Sequence, residues 1–375
     1  MKILVIADTH DIPDWVVRCI VELGQKWGVE LVIHCGDIIP EHVSNELFSN
    51  LPVICAIVKN QKDDPVFGVD KPVGWTLTRS EDRVRTLTND MVVYVGHQRP
   101  LDYLRATEEK FNAILMDLRQ TFDGLRYVFG GHTHFQAYKQ GQLVTLVNPG
   151  AVKDAIGWGY EYALVDTETG KVIFSRVLPT PDSREIFTVG VISDTLDITE
   201  RDAKYWSLLA RELKEGGVSH LIICGNMHLT DIGRSELAGL TVHYAIRSDQ
   251  YSRHRAMQEG GVIPANWQVI ALEDLDKGAV VDINGYRFYV QLDLGLEYMQ
   301  LSEVGMDSKA MEIRRLHPET EFVLCGFTRD ALLMEGEQAV TINPGDTNTD
   351  RAYVTIQLPK REITFDHVPV EALPQ

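Results

Sequence analysis

The chain has 375 residues, of which 44% are hydrophobic and 24% charged, and its formal net charge is -18. That length exceeds one ordinary core and points to two domains. The acidic excess argues against general binding of nucleic acid or anionic membranes, because no basic surplus exists to neutralise phosphates.

Nucleic acid stays open only as a substrate, since bound divalent cations would offset charge locally. The first apolar run, residues 2–7, ends on Asp8. It is too short for a signal peptide, and no later stretch reaches the ~18 apolar residues of a membrane span. No membrane partner is expected. The cysteines, Cys19, Cys35, Cys55, Cys224 and Cys325, are scattered without a CxxC pair and read as reduced thiols of a cytoplasmic protein.

In chain order, residues 2–7 form a buried-type strand. A helix follows, with Pro13 in its first turn, apolar positions Val16, Val17, Ile20, Val21, Leu23 and Trp27, and Gly28 at its end. Residues 31–35 and 53–58 read as strands, with a helix at 41–50 between them. A hairpin is expected at 83–87 and 91–95 around Asn89-Asp90, then a helix over about 101–122. Strands follow near 126–129, 135–140, 143–147, 160–166 and 171–177, with a turn at Thr169-Gly170. Such an order fits a layered α/β unit, two packed sheets with helices outside. Asp8, Asp37, His132 and His134 all fall at or soon after strand ends, where ligands gather in layered folds.

The same unit is written twice. ILVIADTHDI (3–12) is echoed by TVGVISDTLDI (188–198), LVIHCGDII (31–39) by LIICGNMHL (221–229), and AIVKNQ (56–61) by AIRSDQ (245–250). YVFGGHTHF (127–135) is echoed by FVLCGFTRD (322–330), and VNPGAVKDA (147–155) by INPGDTNTD (342–350). Asp37 to Asn60 spans 23 residues, as does Asn226 to Asp249; His132 to Asn148 spans 16, as does Phe327 to Asn343. Order and spacing together indicate duplication. LPTPDSRE (178–185) is the natural linker, giving domains at 1–178 and 186–375 that are expected to contact each other. The oligomeric state is not written in the sequence.

The polar residues of the first copy suit metal binding. Asp8-x-His10 and His132-x-His134 each place two side chains on one side of an extended segment. Asp37 follows a glycine that permits a tight turn, and Asn60 offers an amide oxygen. Carboxylate, imidazole and amide donors suit borderline divalent ions such as Mn, Fe, Ni or Zn, and two ions ~3.5–4 Å apart could clamp a phosphate with a hydroxide between them.

The set DTH (8–10), GD (36–37), Asn60, GH (96–97), GHTH (131–134) and NPG (148–150) resembles the calcineurin-like metallophosphoesterase superfamily, in particular its small bacterial and archaeal phosphodiesterase branch. The resemblance implies a four-layer α/β/β/α sandwich, here in two tandem copies, and two divalent ions, with Mn foremost. Asp8, His10 and His134 would hold one ion, Asn60 and His132 the other, with Asp37 bridging. The implied activity is hydrolysis of a small phosphate ester.

Two positions depart from the family pattern. Gln61 stands where a proton-donating residue is usual, which disfavours the monoesterase and protein-phosphatase branches, and Lys59 before Asn60 reads as a phosphate contact or a solvated lysine. Val95-Gly96-His97 carries valine where the family has its usual His-Gly-His ligand. His97 then has three readings: a ligand reached by a local loop shift, a catalytic contact to phosphate or proton, or a strand-end cap.

The second copy keeps Asp194 but has Leu196, Asn226, Asp249, Phe327 and Arg329 at the remaining positions, which suits a degenerate domain without metals. Its Asn-for-Asp exchange resembles a retromer scaffold subunit of the same fold. Arg329 and Arg247 could hold an anion, or Arg329 could pair with Asp194 or Asp249. The leading expectation is a phosphodiesterase; the alternative is a non-catalytic binding or scaffold protein.

Overall fold

A computed structural model describes residues 1–10, 12–58, 71–79, 83–88, 90–97, 108–141, 143–152, 159–179, 182–193, 203–224, 234–247, 251–261, 263–272, 278–292, 303–326, 330–347 and 351–368. The chain divides into two units, Met1–Ser183 with Gln300–Glu303 and Arg184–Met299 with Val304–Gln375; the break after Ser183 falls within the proline-bearing segment 178–185.

In the first unit the strands in chain order are β1 (Lys2–Ile6), β2 (Leu31–His34), β3 (Val53–Ala56), β4 (Trp75–Thr78), β5 (Val84–Thr86), β6 (Val92–Val95), β7 (Leu125–Phe129), β8 (Gln136–Gln140), β9 (Thr145–Pro149), β10 (Tyr160–Asp166) and β11 (Val172–Val177). One sheet has the order β11-β10-β1-β2-β3-β4, parallel from β1 to β4 and antiparallel through β10 and β11. The other has the order β8-β9-β7-β6-β5, with parallel β9-β7-β6 flanked by antiparallel edges.

The alternation of strand β1 explains the layering. Leu4 and Ile6 join Val16, Val17, Ile20 and Val21 of helix α1 (Asp14–Trp27) in one core. Each of those four helix side chains contributes roughly 1.5–3 kcal/mol by leaving water. Ile3 and Val5, equally buried, belong to the opposite face, where β1 and β10 meet β9 and β3 meets β6. Helix α2 (Glu108–Thr121) packs on β7. The unit is therefore helix, sheet, sheet, helix, as the resemblance implied.

Most expected elements fall within two residues of their observed ends. Residues 41–50 do not form the expected helix. After a 3-10 turn at Pro40–His42 the chain runs through turns and ends the stretch on Ser49 and Asn50, whose left-handed φ values of 52° and 59° a right-handed helix excludes. Strand β4 was not expected. The first part of the helix placed at 101–122 lies outside the described residues.

The second unit repeats the plan. Its strands are β12 (Phe187–Ile192), β13 (Val218–Ile223), β14 (Thr241–Arg247), β15 (Gln268–Leu272), β16 (Ala279–Ile283), β17 (Tyr286–Val290), β18 (Thr320–Leu324), β19 (Leu332–Glu335), β20 (Val340–Asn343), β21 (Ala352–Leu358) and β22 (Glu362–His367). The orders β22-β21-β12-β13-β14-β15 and β19-β20-β18-β17-β16 reproduce every parallel and antiparallel pairing of the first unit. Individual bonds repeat too. Val152 N–H donates to Ala7 O at 2.9 Å, and Thr347 N–H to Ser193 O at 3.2 Å. In both Asn-Pro-Gly turns the glycine amide donates to the asparagine Oδ1, at 3.1 Å for Asn148 and 3.0 Å for Asn343. No helix among the described residues is long and apolar enough to cross a membrane.

The two turns differ in what lies behind the glycine. Gly150 (φ 80°) and Gly345 (φ 87°) are both left-handed, but a Cβ on Gly150 would overlap Glu161 Oε2, whereas one on Gly345 would meet Ala331 at 3.1 Å. Glu161 is buried 3.4 Å from buried Arg176. Gly345→Ala is expected to cost about 1–2 kcal/mol from backbone strain. Gly150→Ala should cost about 3 kcal/mol or more, because it also forces a buried ion pair apart. Urea unfolding of the two variants checks this, and equal losses would refute it.

Candidate metal centre

Of the six residues expected to hold metal, Asp8, His10, Asp37, His132 and His134 are described. Asn60 lies outside the described residues, as do Lys59 and Gln61. All five described residues have left-handed backbones, with φ of 53°, 29°, 59°, 74° and 63° respectively. Non-glycine residues rarely adopt this conformation, and when several do so together they mark a functional cluster. The sequence motifs did not reveal this property.

The loops leaving β1 and β2 are laced together. Asp8 N–H donates to Gly36 O at 3.0 Å and His10 N–H to Asp37 O at 3.2 Å, and His10 forms an isolated bridge with Ile38. Gly36 (φ 99°) also lets a ring lie against the loop, for a Cβ there would stand 2.8 Å from the Cβ of His97. Across the site, His132 N–H donates to Asp8 Oδ2 at 2.9 Å. Asn148 braces the 131–134 loop from behind, its Nδ2 donating to Thr133 Oγ1 at 2.9 Å. That bond gives a physical reason for the pairing of GHTH with NPG.

His97 sits inside the cluster. Val95 ends β6 fully buried in the core, while His97 is 5% exposed. His97 Nδ1 lies 2.9 Å from Cys35 O. A carbonyl only accepts, so Nδ1 carries the proton and Nε2 is left as an acceptor. That Nε2 stands 3.1 Å from His132 Nδ1 and 3.8 Å from Asp8 Oδ1.

The donor atoms are spaced as a metal would need them. His134 Nε2 lies 3.4 Å from Asp8 Oδ1, and His10 Nε2 lies 3.4 Å from Asp37 Oδ2. Two donors each ~2.1 Å from one ion, about 90–110° apart, stand about 3.0–3.4 Å from each other. Asp8 Oδ1 and His10 Nε2 are buried, and neither has a well-directed hydrogen bond among the described residues, the condition expected of atoms reserved for a cation. Two donor groups emerge, Asp8 with His10 and His134, and Asp8 with Asp37 and His97, each with its ligand atoms within 4.8 Å of one another. Asp8 is common to both groups, and Asp37 of the second group also stands 3.4 Å from His10 of the first. The residues fit divalent metal.

The electrostatics agree. Burial alone would push the Asp8 carboxyl up, but His134 and His97 beside it and the His132 amide outweigh that and hold it below the ordinary carboxylate range. Burial pushes the His97 imidazole down, favouring the neutral form that binds metal. In the second unit the counterpart positions 194, 196, 226, 249, 327 and 329 lie outside the described residues.

Two outcomes follow for the metal-free protein. His132 is exposed and pays for its left-handed backbone without much packing in return, so His132→Gly should raise unfolding stability by about 1 kcal/mol while weakening metal binding. Chemical unfolding after chelator treatment reads the first effect. Secondly, His34 is fully buried and its pKa is lowered to about 3, chiefly by burial. Between the ordinary value of about 6.5 and that point the unfolded chain binds a proton that the folded protein does not, so stability falls as pH drops through this window. Unfolding midpoints at pH 7.5 and 5 should show the fall, and His34→Ile should flatten it.

Residues 1–170 match the calcineurin-like phosphoesterase superfamily domain. No curated protein matches the chain. Among solved structures, a novel archaeal phosphodiesterase is 22% identical, covering 46% of this chain and 97% of its own with a TM-score of 0.34. A conserved protein of Streptococcus pneumoniae, a predicted phosphoesterase, is 19% identical, covering 48% and 92% with a TM-score of 0.30. Vps29 of Entamoeba histolytica complexed with zinc is 16% identical, covering 47% and 91% with a TM-score of 0.30.

Proposed function

We propose that the calcineurin-like phosphoesterase domain of residues 1–170 is a metal-dependent phosphodiesterase. In this reading Asp8, His10 and His134 would hold one divalent ion and Asn60, His97 and His132 the other, with Asp8 and Asp37 each standing near donors of both sets. The observation that carries the reading is the gathering of carboxylate and imidazole donors around Asp8, whose Oδ1, like His10 Nε2, is buried without a well-directed hydrogen bond among the described residues. Mixed carboxylate and imidazole donors suit Mn, Fe, Ni or Zn.

When bound, two such ions supply Lewis-acid charge to a phosphate and bring the pKa of a water near neutrality. The chain's own residues prepare that state. His97 presents the Nε2 lone pair because Cys35 O holds the Nδ1 proton. Asp8 stays ionised against its burial because His134, His97 and the His132 amide face it. His132 has its backbone fixed by donation to Asp8 Oδ2, so the two sides of the site are tied through one carboxylate. Gln61 supplies no general acid. That favours diesters, and activated leaving groups most of all, over monoesters.

The second unit is, in this reading, a degenerate copy without catalysis. Leu196, Phe327 and Arg329 at the positions of His10, His132 and His134 remove three imidazoles, and Arg329 brings a positive charge to a cation's place.

The test is metal content together with hydrolysis of an activated diester and an activated monoester in Mn²⁺, for the wild type, His132→Ala and His97→Ala. The wild type should bind metal and prefer the diester, and both variants should lose metal and at least ~100-fold in turnover. His97→Ala that keeps its metal but loses turnover would make His97 a proton or phosphate contact. A wild type without metal, and no faster than His132→Ala, would leave the scaffold reading standing.

A further inference from the structure

We propose that His34 is a positioning residue, present to hold the two ligand-bearing loops in register and not to pack the fold; the proposal rests on the metal site proposed above. His34 closes β2 with its side chain wholly enclosed. The Gly36 amide donates to its Nδ1 at 3.2 Å, so the ring proton sits on Nε2, which faces Thr9 Oγ1 at 3.1 Å and donates to it. Thr9 lies between Asp8 and His10, and Gly36 immediately precedes Asp37. One ring therefore pins the middle of the first loop to the start of the second.

Three proposed ligands hang from those two pinned points, and each is left-handed, with φ of 53°, 29° and 59° for Asp8, His10 and Asp37. A side chain other than glycine holds that conformation only where its surroundings over-determine it. The backbone bonds Asp8 N–H to Gly36 O and His10 N–H to Asp37 O lie on either side of the His34 bridge. Without the bridge they would join two loops that are free to relax between them.

The second unit is a built-in control. Ile6 pairs with His34 between β1 and β2, and Ile192 pairs with Ile223 between β12 and β13. The following amide makes the same bond in each, Cys35 to Ile6 O at 2.8 Å and Cys224 to Ile192 O at 2.9 Å. His34 and Ile223 thus occupy one structural position, and both are 0% exposed. Isoleucine fills that place in an identical sheet, so packing does not demand an imidazole there. The unit that lacks the ring also has Leu196 for His10 and Asn226 for Asp37. The clamp and the ligands it serves are absent together.

The experiment compares wild type, His34→Ile and His34→Gln at pH 7.5 by melting temperature after chelation and by calorimetric titration with Mn²⁺. His34→Ile should melt no lower than wild type yet bind Mn²⁺ about 10–100-fold more weakly, the usual loss when a group behind a ligand is removed. His34→Gln, whose amide can accept from Gly36 and donate to Thr9, should recover part of that affinity. The proposal is overturned if His34→Ile binds like wild type, if Gln is no better than Ile, or if His34→Ile fails to fold. A wild type that binds no Mn²⁺ removes the metal reading and this proposal with it, whereas unimpaired binding by His34→Ile removes this proposal alone.

Discussion

A carboxylate with no solvent contact has to be met by something that replaces water, and Asp8 is such a group. Its Oδ2 accepts the His132 amide, while its Oδ1 faces His134 and His97 without a well-directed bond. An uncompensated charge there would cost several kcal/mol. The surrounding imidazoles offset part of that cost, and a divalent ion would offset the rest.

That requirement explains the backbone as well as the side chains. Five residues around Asp8 and including it run left-handed, because sharp reversals at the strand ends bring donors from β1, β2 and β7 into a space a few ångströms across. The strain is of order 1–3 kcal/mol per residue. It is carried by sheets buried on both faces, by Asn148 behind the 131–134 loop, and by Gly36, whose missing Cβ leaves room for the His97 ring.

The second unit separates what the fold needs from what the site needs. Its strand orders, its Asn-Pro-Gly turn and even the bond from residue 347 to Ser193 copy the first unit. What differs is the chemistry at the loop ends and the identity of the residue that closes its second strand. The strand plan thus does not require those loop-end residues.

Much of this was legible in the sequence. Apolar runs of period-less strand type, the helix pattern from Val16 to Val21, and the paired blocks determined the layered α/β unit and its duplication, because burial on both faces and helical amphipathicity are local properties of residue order. The spacing of Asp8-x-His10, Asp37 and His132-x-His134 marked the candidate donors for the same reason. Three things were decided only in three dimensions. The turns at 41–50, which end on left-handed residues, replaced a helix. Asp8 stands in both donor groups, which depends on loop curvature and not on spacing. And His97, one of three readings in the sequence, was drawn into the site by the carbonyl of Cys35, 62 residues away along the chain, a partner that only the stacking of two sheets brings within reach.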